Sequence, residues 1–220
     1  MSLLHNRLHS FFAAVAAIVC LVSLGGCSQS MVTRANAAAA VLRDFQISQN
    51  AIPESEFAKA RAIAVLRASE GGVVIGGTGG QGVMVQRNGN TWSAPIALDI
   101  SGGSIGLQLG GKSFDVVMIF TNDAEIDKVI RNGSYSVADA SATAGPNQGQ
   151  ARSDDNPVRT FVRASGLFAG ARVGGVSFSV NERVNNETYG INATVADILG
   201  GKVERPLGTS ELYRFLPALK

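Results

Sequence analysis

Reactive side chains are scarce in this chain of 220 residues, which has two cysteines, two histidines, one tryptophan and only 16% charged residues. Low charge combined with 45% apolar residues excludes a disordered chain, which needs low hydrophobicity and high net charge. It equally excludes a coiled coil, whose composition is dominated by charged and helix-forming residues. A net charge of +2 is too small to create the positive field with which nucleic-acid binders displace counterions from phosphates, so no nucleic acid is expected as a partner. With 6 prolines against 26 glycines, the length and composition suit one glycine-rich globular domain with short appendages.

The rare residues are concentrated at the N-terminus. His5, His9 and Cys20 fall in a segment whose weakly basic start, with Arg7, is followed by an apolar run from Phe11 to Leu24 broken only by Ser23. That run is shorter than the ~20 residues a spanning helix requires and suits the apolar core of a secretory signal. It ends in Leu24-Gly25-Gly26-Cys27, which resembles the lipobox of bacterial lipoproteins, where small residues admit the signal peptidase and the cysteine is acylated. This implies a signal peptide over residues 1–26, acylation of Cys27 and a lipidated tether over 27–34. Ser28, where an aspartate would retain a Gram-negative lipoprotein at the inner membrane, implies a lipid-anchored protein of the outer membrane facing the periplasm. The plainer alternative is an ordinary signal peptide with a chance cysteine.

On that reading the mature chain has no histidine, and its cysteine is consumed by lipid. A Ser-His-Asp triad, a Cys-His pair and a His- or Cys-ligated zinc site are then impossible. No disulfide is available, no metal or other cofactor is implied, and a binding protein is expected in place of an enzyme.

In residues 28–50, Met31, Ala35, Ala38, Leu42 and Phe45 recur at the spacing of an amphipathic helix. It could lie on a membrane or pack on its own domain. Its only charges, Arg34, Arg43 and Asp44, favour packing, because interfacial helices carry a basic polar face. Ile52 and Pro53 open a second predicted helix with Phe57, Ala60, Ile63 and Ala64 as its buried stripe. Thirteen of the glycines lie between Gly71 and Gly111, separated by short β-branched stretches at 73–75, 83–85 and 105–109 and followed by the apolar run 116–120. Short strands interrupted by glycine predict a strongly bent antiparallel sheet or partial barrel. A helix with Ile126, Val129 and Ile130 on its apolar face is expected over 121–132, then a polar loop over 145–157. Strand patterning resumes over 158–180, and helices close the chain around 195–199 and 210–216. The fold class is therefore α+β, with helices at both ends of a glycine-kinked sheet.

Gly77-Thr78-Gly79-Gly80-Gln81-Gly82 matches a dinucleotide-binding glycine pattern, but that site needs a helix next and Val83-Met84-Val85 is strand-like. A hairpin turn is expected there instead. Asp123, Glu125 and Asp127 alternate like calcium ligands, yet Lys128 and Ser134 stand where an EF-hand loop needs glycine and glutamate, so a helix start is the simpler reading. Asp154 and Asp155 read as solvated loop residues. Arg152, Arg159, Arg163 and Arg172 outnumber the two aspartates of their segment and, with Arg34 and Arg43, are the candidates for an anionic headgroup, since a guanidinium fork donates two parallel hydrogen bonds to phosphate. A merely solvated surface is the competing explanation.

Several strings in order resemble the SYLF, or Ysc84, family. They are Ala60-Arg61-Ala62-Ile63-Ala64-Val65, Gly71 to Gly82, Arg87 with Trp92-Ser93-Ala94-Pro95, and Gly103-Ser104-Ile105-Gly106-Leu107-Gln108. Ala144-Gly145-Pro146, Ser165-Gly166-Leu167-Phe168-Ala169-Gly170, Tyr189-Gly190 and Ile198-Leu199-Gly200 continue the pattern. The resemblance spans 35–201 and leaves 202–220 as a C-terminal extension predicted to be helical. Trp92, Ser93, Pro95, Gly103, Gly106, Gly166, Phe168 and Gly170 are its motif residues, expected to be structural.

The resemblance implies a binding domain. Eukaryotic members bind phosphoinositide membranes, partly through an N-terminal amphipathic segment, and some yeast members bind actin. The usual proline is replaced by Leu66 and a usual arginine by Gln150, and the lysine-rich actin-binding segment is absent, so actin is not expected as a partner. The expected function is an envelope lipoprotein that binds lipid, anionic phospholipid in particular. The alternative is a structural or protein-interaction module of the envelope whose protein partner is unknown, and a hydrolase built from carboxylates alone is the weakest option.

Overall fold

The computed structural model describes residues 29–48, 51–72, 75–105, 110–136, 141–144, 157–165 and 177–218. The expected signal segment with Cys27, most of the polar loop, and Arg152, Arg172, Gly106, Gly166, Phe168 and Gly170 lie outside them.

The first helix, α1 (Met31–Ile47), is capped by the Ser30 side chain, which accepts from the Thr33 N–H at 3.4 Å. Met31, Ala35, Ala38, Val41, Leu42 and Phe45 are buried, so the predicted stripe faces the domain itself. The helix begins four residues before the expected boundary at 35, and the last residues of the expected tether belong to the fold. A short helix, α2 (Glu54–Ala58), follows Pro53. It stops well before the predicted stripe ends: Ile63 and Ala64 instead alternate across strand β1 (Ala62–Gly72), each packed in a different core cluster. The run 62–66 is apolar throughout because both faces of this central strand are covered, and such a run carries no period to separate strand from helix.

Strands β2 (Ile75–Asn88), β3 (Thr91–Trp92), β4 (Ile96–Ile105) and β5 (Gly110–Phe120) follow. Helix α3 (Asp123–Asn132) then leads into β6 (Ser134–Ser136), β7 (Ser141–Ala144), β8 (Val158–Ser165) and β9 (Ser177–Val180). The chain ends in α4 (Glu182–Tyr189), α5 (Val195–Leu199) and α6 (Ser210–Phe215). Helix α3 has the predicted apolar face and two local stops: Asn122 accepts from the Glu125 N–H, and Gly133 adopts φ 63° and returns its N–H to Val129 O.

The strands form one curled sheet, a half-barrel, in the order β6-β9-β4-β2-β1-β5-β8-β7, with β3 paired to β2. All pairs are antiparallel except β7 with β8. The glycine run 77–82 is not a hairpin turn but lies inside β2. Its reason is close approach. A Cβ at Gly82 would run into Val65 O and Leu66 of β1, and one at Gly80 into Arg67 O and Ala68. Glycine lets these backbones close up where the sheet bends.

Each face of the sheet carries a core. On one, Leu66, Met84, Leu98, Met118 and Phe120 meet Ile126, Val129, Ile198 and Leu199, and Tyr135 stacks on Phe178 at 5.8 Å. On the other, Ile63, Val65, Val83, Val117 and Ile119 lie beneath α1, with Trp92, Leu212 and Leu216. Leu212 and Leu216 come from the expected extension 202–220, which is therefore part of the same core.

Candidate functional site

The face beneath α1 is ordered in layers, because antiparallel register aligns residues of like chemistry across five or six strands. Val65, Val83, Ala97, Val117 and Phe161 form an apolar row. Two residues further along each strand the row is Arg163, Asp115, Arg67, Gln81, Asp99 and Ser179. Two further it is Ser165, Ser113, Ser69, Gly79, Ser101 and Ser177, and beyond that Gly111, Gly71, Gly77 and Gly103. Apolar packing thus gives way to a charged belt, then to rows of serine and glycine.

Helix α1 lies across the strands and is fixed to the belt near both ends. Arg34 is 2% exposed. Its Nη1 donates to Leu98 O at 2.5 Å and to Asp99 Oδ1 at 2.8 Å, and its Nε donates to Gln29 O at 2.9 Å. Asn181 Nδ2 completes the Asp99 carboxylate at 2.6 Å, and Gln81 donates to the Gln29 side chain. Towards the other end, Arg163 Nη2 bridges Asp44 Oδ2 at 3.0 Å and Asp115 Oδ2 at 2.9 Å, while Arg67 grips Asp115 through both Nε and Nη2. Hydrogen bonding to Arg163 holds the Asp44 carboxyl below its usual range, against a smaller opposing effect of burial. Hydrogen bonding to Asp115 likewise raises the Arg67 guanidinium. For Arg163, burial opposes the charge, but the bonds to Asp44 and Asp115 prevail and raise it.

These contacts reassign several candidates for headgroup binding. Arg34 is buried and consumed by α1 docking, and Arg159 is buried with its Nε 3.2 Å from Glu56. Arg163 is half-buried in the belt with its guanidinium 5.6 Å from the Phe45 ring. Of the candidates among the described residues, Arg43 alone remains mostly exposed, at 56%, with only a 3.5 Å contact to Asp44.

Trp92, Ser93 and Pro95 organise the opposite end of β2. Trp92 is buried and its Nε1 donates to Pro217 O; Ser93 Oγ accepts from the Gln86 N–H and donates to Ala94 O; Pro95 O accepts from Tyr189. Tyr213 donates to Ser93 O and burial pushes its phenol up to about 12, while Arg205 covers its ring at 3.9 Å. Gly103 pairs with Gly77 in the glycine row. A groove of about 800 Å³ opens near the C-terminal end of α1 between Gln46, Ile52, Phe57, Leu216 and Pro217.

Asp123 and Glu125 stand in the first turn of α3, where carboxylates complement the helix dipole. Asp123 pairs with both Nε and Nη2 of Arg61. Burial works against the Glu125 charge, but Lys128 and Tyr135 donate to it and hold its pKa low. Among the described residues no group of three or more His, Cys, Asp or Glu side chains could hold a metal, and no helix is long and apolar enough to cross a membrane.

The belt and the serine row escaped the reading of the sequence, although their signal is present. Read at every second residue, Ile63-Val65-Arg67-Ser69-Gly71 and, in reverse, Ile119-Val117-Asp115-Ser113-Gly111 repeat one chemical order. Only the register shows that these series coincide.

The family model described as "Ysc84: Las17-binding protein actin regulator" matches residues 101–219. Human SH3 domain-containing YSC84-like protein 1 is 29% identical over 84% of this chain and 58% of its own length. The Xenopus laevis protein of that name is 30% identical over 81% and 58%. Protein YSC84 of Saccharomyces cerevisiae is 29% identical over 86% and 43%. The chain thus spans about half the length of the curated relatives it matches. No solved structure gives a significant match.

Proposed function

We propose, for a chain that belongs to the Ysc84, or SYLF, family, that it is a binding module without catalytic activity, anchored by acyl chains on Cys27 in the outer membrane and facing the periplasm. Its ligand is lipid, anionic phospholipid in particular, met at the membrane surface. The observation that carries this reading is where the lipobox falls. Leu24-Gly25-Gly26-Cys27 ends two residues before Gln29, which is already hydrogen-bonded to the folded sheet. Acylation there leaves the domain on the bilayer, and each buried acyl CH₂ adds ~0.8 kcal/mol of affinity, so two or three chains hold it stably. Arg43 remains available to an anionic headgroup.

Two experiments separate the parts of the proposal. Cys27→Ala should block processing and acylation, and normal processing of the variant refutes the lipoprotein reading. The purified domain lacking the signal should float with liposomes in proportion to their anionic content, and absence of flotation at low salt refutes lipid binding. The second reading, a protein-interaction module, is favoured by the family's description as Las17-binding and by the SH3 domains named in its relatives. Crosslinking in cells that recovers one stoichiometric protein, without liposome binding, would establish it instead.

A further inference from the structure

Where the C-terminal end of α1 meets the charged belt, guanidinium outnumbers carboxylate. Among the described residues, Arg43, Arg67 and Arg163 share Asp44 and Asp115, which leaves one positive charge in excess. The neighbouring Arg159 lies beyond Phe161 on β8 and is paired with Glu56. The two aspartates are committed to different degrees. Asp115 is 7% exposed and is gripped by Arg67 and Arg163 within the sheet, whereas Asp44 is 28% exposed on α1. Asp44 stands between two guanidiniums, with Arg43 Nη2 3.5 Å from its Oδ1 and Arg163 Nη2 3.0 Å from its Oδ2.

Arg163 has donor capacity in reserve. Its Nη2 makes the hydrogen bonds to Asp44 and Asp115, while its Nε is buried without a hydrogen-bond partner. A guanidinium carries five N–H donors in a fork that matches phosphate as well as carboxylate, and a donor left unpaired costs free energy. We infer that Arg43 and Arg163 form a phosphate site which Asp44 fills as an internal counter-ion, and that an anionic headgroup binds by displacing it. A phosphodiester has two unesterified oxygens and one negative charge, like the carboxylate it would replace. Displacement returns Asp44 to water, in which it already partly stands, and leaves Asp115 to its own two arginines. A single tethered carboxylate competes through its effective concentration, and headgroups crowded at a bilayer surface meet it on similar terms. The inference rests on the lipid reading and adds the site and its built-in competitor.

The test floats the purified domain lacking the signal, which keeps every described residue, with phosphatidylglycerol vesicles at low salt. Asp44→Asn keeps the shape of the side chain, removes the competing charge and should bind about fivefold more tightly, the change expected for one charge close to an anionic surface. Asp127→Asn alters net charge equally on α3, across the sheet from α1, and should change binding much less. Inorganic phosphate is the second probe, with the Arg163 Nε–H resonance followed by nitrogen NMR. That resonance should move in Asp44→Asn at lower phosphate concentration than in the unaltered domain. Asp44→Asn floating no more tightly than Asp127→Asn, an equal gain on phosphatidylcholine vesicles, or a still Arg163 resonance overturns the inference and leaves lipid binding standing. If no variant floats but phosphate moves the resonance, the site takes soluble phosphate and the lipid reading alone falls. Neither flotation nor movement overturns both. Should Asp44→Asn not fold, the exposed Arg43→Gln carries the test: flotation should weaken about fivefold, and unchanged flotation overturns the inference.

Discussion

The attachment of α1 to the sheet makes an unusual stability prediction. Arg34 is 2% exposed and its partner Asp99 is 43% exposed, so the two ends of one 2.8 Å ion pair stand in different dielectrics. Arg34→Met keeps the buried stem and leaves Asp99 half in water with Asn181 still donating to it. The cost is the lost hydrogen bonds to Leu98 O and Gln29 O plus a screened ion pair, about 2 kcal/mol. Asp99→Ala instead strands a guanidinium in the core with two carbonyls and no counter-charge, and a buried charge without its partner costs about 3–5 kcal/mol. Removing the more exposed partner should therefore do more harm than removing the buried one. At about 2–4 °C per kcal/mol for a domain of this size, Arg34→Met should lower the melting temperature by about 4–8 °C and Asp99→Ala by more. Urea unfolding of both variants and the double mutant, followed by far-UV circular dichroism, measures the order and the coupling. Arg34→Met proving the costlier change, or neither moving the midpoint, refutes this account. Loss of liposome flotation by folded Arg34→Met would make Arg34 a lipid ligand after all.

Further expectations follow from the same geometry. Gly82→Ala should destabilise the domain by about 1–3 kcal/mol because its methyl meets β1 backbone, whereas Gly79→Ala, pointing into open space, should be neutral or stabilising; equal urea midpoints would refute the close-approach explanation. Asp44 and Glu125 have folded-state pKa values depressed below their unfolded values, so their contribution is present above the ordinary carboxylate range and lost as pH falls through it. Stability should then decline below about pH 4, and Asp44→Asn should remove part of that decline in thermal melts. Asp197 should titrate at about 2 by carbon NMR, held there first by the Lys202 hydrogen bond and then by Thr194, and Lys202→Ala should raise it; an unchanged value would refute the assignment.

The sequence is most legible where a segment is covered on one side. Helix α1 and helix α3 each show a single apolar stripe, and the structure buries those stripes. Legibility fails where the physical cause is not local. Strand β1 is apolar at every position from 62 to 66 because α1 lies on one face and Tyr135, Phe178 and α3 close the other, so its start reads as the end of a helix. The glycines 77–82 read as a turn, since glycine at a turn and glycine beneath a neighbouring backbone look alike until the neighbour is known. Helix α4 has no apolar stripe to announce it: it is short and polar, and buries only Val184 and Asn185, the latter accepting from the Ala97 N–H. Charge marks the arginine candidates in the sequence, while the availability of Arg163 depends on carboxylates 48 and 119 residues distant.

By itself the sequence determined the class of this molecule: an α+β domain of the Ysc84 family, glycine-rich in its sheet. Composition, period and motif order are properties of neighbouring residues, and they are set before the chain folds. The tertiary structure alone decided that Arg34 and Arg159 are buried in ion pairs, that Arg43 remains exposed, and that five strands bring their serines to one row. Those outcomes depend on strand register, which joins residues remote in sequence and assigns each charge either to water or to a partner.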